Sequence, residues 1–395
     1  MVLPSRCANR NHRSLLVLLL VISLAAAALI LTPAHAKKRA RHQTGRPYRT
    51  ALLIEAETGQ VLKAYNPRQR EIPASLVKMM TILLTLEHVK EKTVSLKDPV
   101  ITSRKASKIG GQQVYLAQGE QFPLEKLLQA VAISSANDAA YAVAEHVAGD
   151  VSTFIEMMNE RARQLKMTDT EFVNVHGLPP GRRKRPNRMS ARDAAILARE
   201  LLKHPIVTRW GSTRNAPFRG GSFTLTNTNR LVGRFHGLDG LKTGSYRQAG
   251  YSIVATAKRG NLRLIAVVLS SDRPKRRFKE ARKLLAWGFA RYRWFEATSK
   301  SIKKNYSVEI TQGQKKSIRL NPEGKFRTLV RRGQEMKIAV RSEIPDSLPA
   351  PVATGHRVGR IIYELKGKKM GEIHLTAAES VEKKWGFLRS LITYR

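Results

Sequence analysis

The stretch of sequence that decides the fold is Pro73-Ala-Ser75-Leu-Val-Lys78-Met-Met-Thr81. Its proline precedes an apolar pattern that predicts a helix from about Ser75 to Val89. Residues three apart on a helix share a face, so the Ser75 hydroxyl and the Lys78 amine can reach each other. A serine hydroxyl is a weak nucleophile and needs a base within hydrogen-bond reach. The stretch therefore predicts a nucleophile and its base at the start of a helix.

An ordinary lysine is protonated at neutral pH and cannot accept the serine proton. Burial together with a second cation would lower the pKa of Lys78 toward the working range, and Lys242 is a natural source of that repulsion. The helix N-terminus also directs backbone N–H groups at whatever Ser75 attacks. Taken alone, Ser-x-x-Lys is common by chance, and a surface serine beside a solvated lysine explains it more simply.

A second motif is Ser135-Ala-Asn137, which lies near the middle of the helical pattern Leu124 to Ala148. On a bent segment between helices, both polar side chains would point into one cleft. Ser135 would then pass a proton between Lys78 and a leaving amine, and Asn137 would hold a substrate amide. The alternative is a pair of helix-capping residues, because Ser and Asn are favoured at helix N-termini.

A third motif is Lys242-Thr243-Gly244, which follows an Asp-Gly turn and reads as strand. Gly244 would let a substrate chain lie close against this strand as an added strand. Lys242 and Thr243 would bind its terminal carboxylate, and Arg277 is a weaker candidate for the same group. The alternatives are a hairpin turn of surface residues and, for Arg277, a solvated basic face, which its sequence context favours. Three motifs in this order point to acyl transfer through a serine.

The first residues read as a secretory signal, 1–36. A positive start is followed by the apolar run Leu15–Leu31, interrupted by Ser23, and by the small-x-small sequence Ala34-His35-Ala36. An uncleaved membrane anchor is the alternative. Residues 37–49 are rich in Lys and Arg and are predicted to be a solvated linker. The chain's one cysteine, Cys7, lies in the signal, so the mature chain has no thiol chemistry.

The formal charge of +41 makes nucleic-acid binding a serious alternative. No recognition motif supports it, and an exported protein is kept away from nucleic acid. We expect instead attraction to an anionic cell envelope, including acidic wall peptides and the membrane surface. The ten histidines show no paired spacing that would predict a metal site.

Strand and helix patterns between about 50 and 297 predict an α/β (α+β) domain. We expect strands at 51–56, 60–65, 240–244, 250–258 and 262–270, the last two forming an antiparallel hairpin, and helices at 151–166, 191–202 and 277–295. Residues 174–187 are predicted to be a Gly/Pro-rich loop bearing Arg182, Arg183, Lys184 and Arg185.

After about Thr298 the pattern changes to short strands separated by glycine turns. We predict a small all-β sandwich over 298–380, with strands at 306–310, 316–320, 327–331, 336–340, 359–365 and 372–375. It carries no obvious acid, base or nucleophile, which favours a spacer or binding module. The tail 381–395 is predicted either to lie on a membrane surface or to dock on its own domain.

The three motifs make the chain resemble the D-alanyl-D-alanine carboxypeptidases, the low-molecular-mass penicillin-binding proteins that trim peptidoglycan. Ile133-Ser-Ser135-Ala-Asn137-Asp-Ala, Asp239-Gly-Leu-Lys242-Thr243-Gly244 and the opening stretch match the family's motifs. Phe172-Val-Asn-Val-His-Gly-Leu178 and Ser190-Ala-Arg-Asp193 match weaker family stretches, and Gly355-His-Arg-Val-Gly359 matches its second domain.

The resemblance implies a penicillin-recognising transpeptidase fold, an antiparallel sheet flanked by helices, and no cofactor. It implies that Ser75 forms the acyl-enzyme with Lys78 as proton acceptor, and that Ser135 and Asn137 complete the cleft. Lys242 and Thr243 would bind the carboxylate of stem peptide or penicillin, and the amides of Ser75 and Ser245 would form the oxyanion hole. Ser245 departs from relatives that carry His there, and the tail is shorter than the amphipathic anchor of well-known members.

Three alternatives remain open at this point. A β-lactamase needs fast deacylation, and no Glu in 174–187 is clearly placed to activate water. A DD-endopeptidase would cut cross-links with the same residues. A non-catalytic wall-binding protein would rely on charge and on the β domain alone.

Overall fold

The computed structural model describes residues 45–179, 181, 185–302 and 304–384. Several expectations lie outside these residues: the signal 1–36, most of the linker 37–49, Arg182, Arg183 and Lys184 of the basic loop, and the tail from Trp385 onward. In the described part of the chain, no helix is both long and apolar enough to cross a membrane.

The helices of the described residues are numbered here in chain order: α1 (Lys78–Lys90), α2 (Arg104–Ser107), α3 (Leu124–Gln129), α4 (Asn137–Ala148), α5 (Val151–Gln164), α6 (Ala191–Leu201), α7 (Pro205–Ser212) and α8 (Pro274–Arg291). The strands are β1 (Thr50–Glu55), β2 (Val61–Tyr65), β3 (Pro99–Ile101), β4 (Gln121–Pro123), β5 (Asn215–Phe218), β6 (Phe223–Thr226), β7 (Leu238–Tyr246), β8 (Gly250–Arg259), β9 (Leu262–Ser271), β10 (Tyr292–Thr298), β11 (Tyr306–Thr311), β12 (Ser317–Glu323), β13 (Lys325–Arg331), β14 (Ile338–Glu343), β15 (Ser347–Pro349), β16 (Arg357–Leu365) and β17 (Lys368–Ala377).

A five-stranded antiparallel sheet in the order β2-β1-β9-β8-β7 organises the first part of the fold. Its central strand β9 is buried on both faces. Ile265 and Val267 pack in the core under the helices of the α1–α6 side, whereas Leu264 and Ala266 pack in a second core under α8. Alternate residues of a strand point to opposite faces, so a strand covered on both sides reads as a continuous apolar run. β7 lies at one edge of the sheet.

Several helices on the α1–α6 side begin at residues whose side chains cap them. Ser103, Asp150 and Ser190 each accept a hydrogen bond from the backbone N–H three residues on. Such caps satisfy amides that have no partner inside the helix. The predicted helices 151–166 and 191–202 are confirmed within two residues at each end as α5 and α6.

The last predicted helix of this region was wrong at both ends. α8 begins at Pro274, which is favoured at a first helical position, and ends at Arg291. Tyr292 to Thr298 form β10 instead, which pairs with β13 over its whole length. Trp294 and Tyr292 are thereby buried in the core under α8. The aromatic residues that favoured a longer helix pack as a strand.

The predicted all-β region is confirmed. A six-stranded sheet in the order β14-β16-β17-β12-β11-β15 packs against the β10–β13 ribbon through Phe295, Phe326 and Tyr363. The short strand β15 was not predicted; it pairs parallel to β11. All six predicted strands are present with bounds that differ by a few residues.

Arg327 on β13 links this sheet region to the first part of the fold. Its guanidinium lies 3.8 Å from the centroid of the Trp294 ring and donates to the Glu57 carboxylate at 2.6 Å and to the Asn261 carbonyl at 3.3 Å. Glu57 and Asn261 lie in the turns after β1 and β8. One side chain therefore joins two hairpin turns of the first sheet to the β10–β13 ribbon.

Candidate active site

Ser75 lies on a short 3-10 helix, Ala74–Val77, that leads directly into α1 at Lys78. The expected helix is therefore present, with a tighter first turn than an α-helix. The Lys78 Nζ lies 3.2 Å from the Ser75 Oγ. The close pair expected from the three-residue spacing is present.

Lys78 is fully buried, and its amine has two further partners. Nζ donates to the Asn137 Oδ1 at 2.6 Å and to the His176 carbonyl at 2.6 Å. Burial, assisted by the positive charge of Lys242, holds the pKa of Lys78 well below the ordinary lysine value. A lysine in this environment is readily neutral.

The partners of Lys78 determine how a neutral amine must be oriented. Amide and peptide carbonyl oxygens only accept hydrogen bonds, so Asn137 and His176 take the two N–H groups of a neutral amine. The lone pair is then left for the third partner, the Ser75 hydroxyl. In that state the Ser75 hydroxyl donates a hydrogen bond to the Lys78 nitrogen, which is the arrangement that a general base requires.

Ser135 and Asn137 lie where the predicted helix Leu124 to Ala148 is broken. A π-helical turn, Ala130–Ser134, follows α3, and Ser135 has left-handed backbone angles of φ 66° and ψ 30°. α4 begins at Asn137. Ser135 is therefore turned out of the helical path, and both motif residues are buried. The expected bent segment between helices is confirmed.

The Asn137 side chain contacts groups of the protein itself, and its expected contact with a substrate amide stays a prediction. Its Oδ1 faces Lys78, its Nδ2 donates to the Gly110 carbonyl at 2.7 Å, and its backbone N–H donates to the Gln112 carbonyl at 2.7 Å. Asn137 therefore orients Lys78 and holds the 110–112 loop in place. One N–H of its side-chain amide is left over for another partner. The alternative of a helix cap does not hold for Asn137, because the helix is capped by Ala136 and has no side-chain cap hydrogen bond.

The third motif lies on β7. Lys242 is buried, and its Nζ donates to the Thr243 carbonyl at 3.1 Å. Burial and the nearby cation Arg277 lower the pKa of Lys242 to about 7. The Thr243 hydroxyl donates to the Thr228 hydroxyl at 2.8 Å, a partner that the sequence did not suggest. Ser245, the next residue but one, is exposed on the same strand.

Gly244 brings β7 against the turn that holds Ser75. A Cβ on Gly244 would lie 2.4 Å from the Pro73 carbonyl oxygen and 3.0 Å from the Ser75 amide nitrogen. Any side chain would push the strand away from Ser75. The sequence predicts glycine here for contact with substrate, which stays a prediction; the structure shows in addition that Gly244 packs between two parts of the site.

Arg277 is buried and not part of a solvated basic face, so the favoured interpretation was wrong. It lies at the start of α8, where its Nη1 donates to the Gly244 carbonyl at 3.1 Å and to the Ser252 carbonyl at 3.4 Å. The Tyr251 and Phe278 rings lie within 5.6 Å of its guanidinium carbon. Burial lowers the pKa of Arg277 to about 10. The residue connects α8 to the strand that carries Lys242.

A loop that sequence reasoning noted only as a weak match forms another wall of the site. Gly177, with φ +81°, packs so closely that a Cβ would lie 2.1 Å from the Ala74 carbonyl oxygen. Asn174 accepts from the Gly177 amide and from Asn187 Nδ2. This folding of the loop directs the His176 carbonyl at Lys78. Burial lowers the pKa of His176 to about 4, so its ring is neutral.

Residues distant in sequence thus converge on one cleft between β7, the start of α1 and the break before α4. The cleft brings together the Ser75 hydroxyl, the buried Lys78 amine that is easily neutral, and the second buried lysine, Lys242. In the described part of the chain, no three His, Cys, Asp or Glu side chains are grouped to hold a metal ion. The arrangement is chemically suited to transfer of an acyl group onto Ser75.

Known proteins that resemble this chain are serine peptidases, in agreement with the chemistry that the site suits. The family model for D-alanyl-D-alanine carboxypeptidase matches residues 37–273, and the model for the C-terminal domain of penicillin-binding protein 5 matches residues 297–383. The curated D-alanyl-D-alanine carboxypeptidase DacF of Bacillus subtilis is 35% identical over 351 residues, covering 87% of this chain and 88% of the relative.

Solved structures agree. Penicillin binding protein 5 from Haemophilus influenzae aligns with a TM-score of 0.67 at 31% identity, over 85% of this chain and 98% of that one. Penicillin-binding protein D2 from Listeria monocytogenes in its ampicillin-bound form aligns with a TM-score of 0.57 at 32% identity, over 62% of this chain and 97% of that one. On these matches and the fold, the chain belongs to the D-alanyl-D-alanine carboxypeptidase family of serine peptidases.

Proposed function

We propose that this chain removes the terminal D-alanine from peptidoglycan stem peptides through an acyl-enzyme on Ser75. The observation that carries the proposal is the 3.2 Å contact between the Ser75 Oγ and a fully buried Lys78 Nζ whose pKa is strongly lowered. A neutral amine at that distance can take the hydroxyl proton as the bond to substrate forms.

In the acylation step, the Ser75 Oγ adds to the carbonyl carbon of the penultimate D-alanine while Lys78 accepts its proton. The amides of Ser75 and Ser245 stabilise the oxyanion of the tetrahedral intermediate. Ser135 relays the proton from Lys78 to the leaving nitrogen as the C–N bond breaks. Because the described hydrogen bonds of Lys78 go to Ser75, Asn137 and His176, this relay requires Lys78 to exchange one partner for Ser135 once substrate is bound.

In deacylation, a water molecule adds to the ester carbonyl, gives a proton to Lys78, and the Ser75 oxygen leaves with that proton. The overall reaction consumes one water molecule and leaves the enzyme unchanged. β-Lactams follow the first step and stay attached, because opening their ring leaves no separate amine to diffuse away.

Lys242 and Thr243 bind the terminal carboxylate, and the stem peptide lies along β7 as an added edge strand. The position of β7 at the edge of its sheet supports this. Arg277 adds positive potential from behind the strand and holds the Gly244 carbonyl. Asn137 uses its second amide N–H for the substrate residue that precedes the scissile bond.

The protein is exported by the signal 1–36 and works at the outer face of the bacterial cytoplasmic membrane, where it takes part in remodelling the wall and in cell shape. The linker 37–49 is followed by the catalytic domain 50–297 and the β domain 298–380, which acts as a spacer. The tail 381–395 and the charge of +41 favour peripheral association with an anionic membrane surface. Nucleic acid is not a partner.

The test is release of D-alanine from a muramyl pentapeptide by the wild-type chain and by Ser75→Ala. We expect release by the wild type and a rate lower by about 1,000-fold or more for the variant, because the variant lacks the oxygen that forms the acyl-enzyme. Equal rates would overturn the assignment. Rapid turnover of penicillin would indicate a β-lactamase, and cleavage of cross-linked dimers would indicate an endopeptidase.

A further inference from the structure

Tyr115 is a large aromatic residue held in an unfavourable conformation and left open to solvent. Its side chain is 70% exposed, and its φ of +58° lies in the left-handed region that residues other than Gly, Asn and Asp avoid. Its neighbours Val114 and Leu116 are both buried. Backbone strain of this kind persists where the surrounding structure enforces it, and it concentrates at functional sites.

Two charged side chains enforce this conformation. The buried Asp138 carboxylate accepts hydrogen bonds from the Val114 and Leu116 amides at 3.1 Å, one on each side of Tyr115. Arg219 donates to the Val114 carbonyl at 3.0 Å and to the Tyr115 carbonyl at 2.6 Å. Arg219 is also ion-paired with Glu120. The backbone of Tyr115 is therefore fixed from both sides while its ring remains outside.

The ring rests on a row of aromatic side chains. Tyr115 contacts Phe223 edge to face at 6.2 Å between centroids, Phe223 contacts Phe218 in the same way, and Phe218 stacks on Phe122 at 4.5 Å. The Arg219 guanidinium lies over the last two rings. Such a row holds the Tyr115 ring in place as a rigid platform. Because the ring is already ordered, binding a ligand would cost little further conformational entropy.

This platform is joined directly to the proposed catalytic cleft. Asp138 follows Asn137, whose side chain contacts Lys78 and whose amides hold the carbonyls of Gly110 and Gln112. The loop from Gly110 to Leu116 therefore runs from the Lys78 side of the cleft out to Tyr115. An extended five-residue stem spans roughly 17 Å, enough to reach beyond the residues bound at Ser75.

Resting on the function proposed above, we propose that Tyr115 is a substrate-contacting residue that stacks against the amino-sugar ring to which the stem peptide is attached. The charged groups that build the platform are engaged with each other or with backbone, so the ring offers an apolar face with one hydroxyl. An amino sugar presents a matching C–H face with polar groups at its edge. Tyrosine combines a large apolar ring with one hydroxyl, so it can pack on such a face while the hydroxyl bonds a polar group at the edge.

The experiment compares two substrates that share the same pentapeptide, one carrying the muramyl sugar and one without it. We expect Tyr115→Leu to lower kcat/KM for the sugar-bearing substrate by roughly 5- to 30-fold, mainly through KM, and to leave the sugar-free peptide within twofold. Tyr115→Phe should keep most of the wild-type preference. Met336→Ala, at an exposed apolar residue beside β14, is the control and should change neither value.

A second variant separates binding from stability. Asn tolerates the left-handed region, so Tyr115→Asn should melt at or above the wild-type temperature and still lose the preference for the sugar-bearing substrate. An equal fall in kcat/KM on both substrates, or no fall on either, would contradict the proposed sugar contact. If the wild type cleaves neither substrate, the proposed function fails instead.

Discussion

The Asn137 Oδ1 accepts a hydrogen bond from the Lys78 Nζ at 2.6 Å, in a site where burial and Lys242 favour the neutral amine. Asn137→Asp would place a carboxylate of the same shape at this distance. An adjacent negative charge raises a lysine pKa, so Lys78 would be protonated at neutral pH. We expect acylation by fluorescent penicillin at pH 7 to fall by about 100-fold or more. The rate should recover partly as the pH is raised.

The recovery at high pH is the feature that distinguishes this account from simple damage to the site. Asn137→Ala serves as the comparison, because it removes the contact without adding charge and should lack that recovery. An Asn137→Asp enzyme with the wild-type rate at pH 7 would show that the proton does not go to Lys78.

Gly244→Ala tests the close approach of β7 to the nucleophile. The new methyl would lie 2.4 Å from the Pro73 carbonyl, so the strand must move. Displacement of reacting groups by about 1 Å can lower rates about 100-fold, and overpacking typically lowers the free energy of unfolding by about 1–3 kcal/mol. We expect both effects in D-alanine release and in urea denaturation. Gly181→Ala, where a Cβ meets open space, should change neither.

The lowered pKa of Lys242 predicts how stability depends on pH. Its pKa is about 7 in the folded chain against 10.5 for an ordinary lysine, so between these values the unfolded chain binds more protons. The folded state is therefore penalised fully below about pH 7, and the penalty is relieved as the pH rises toward 10.5. Lys242→Met should raise the free energy of unfolding by about 2–4 kcal/mol at pH 6 and by less at pH 9.5.

Guanidinium denaturation at the two pH values measures this difference. Lys258→Met on β8 is the matched control. Because Lys258 is exposed, its replacement should change the free energy of unfolding by the same amount at both pH values. A Lys242→Met difference that stays constant with pH would contradict the buried, easily neutralised lysine.

Arg277→Leu tests the residue that the sequence placed wrongly. The variant loses the Arg277 charge and its hydrogen bond to the Gly244 carbonyl, so we expect KM to rise about 10-fold. Because Arg277 lowers the pKa of Lys242, its removal should raise that pKa and move the basic limb of the pH–rate profile to higher pH. Arg277→Lys should keep the limb near its wild-type position. Arg276→Gln, at a half-buried neighbour paired with Asp272, should behave as the wild type.

Local patterns predicted the strands and helices whose apolar residues form a continuous or a periodic run. β9 alternates between two cores and was found within one residue, whereas the boundary between α8 and β10 was missed because Tyr292 and Trp294 continue an aromatic, helix-like spacing. Pairing with β13 decides that boundary, and its partner lies about thirty residues away along the chain.

For the site, short motifs predicted Ser75, Lys78, Ser135 and Lys242 as candidates, because a motif needs only residues that lie close together in the sequence. Residues that act through their backbone left a weaker signal. The His176 carbonyl reaches Lys78 because Asn174 and Gly177 fold their loop, and the sequence marked this stretch only as a weaker family match. Arg277 looked solvated because the sequence around it is rich in Lys and Arg.

The most direct test of the central claim is the mass of the intact chain after incubation with penicillin, followed by peptide mapping. We predict one penicillin per molecule, attached to the peptide that contains Ser75, and no adduct on Ser75→Ala. Slow loss of the adduct is expected as the ester hydrolyses. An adduct on another residue, or none at all on a folded wild-type chain, would contradict the claim that Lys78 makes Ser75 the nucleophile.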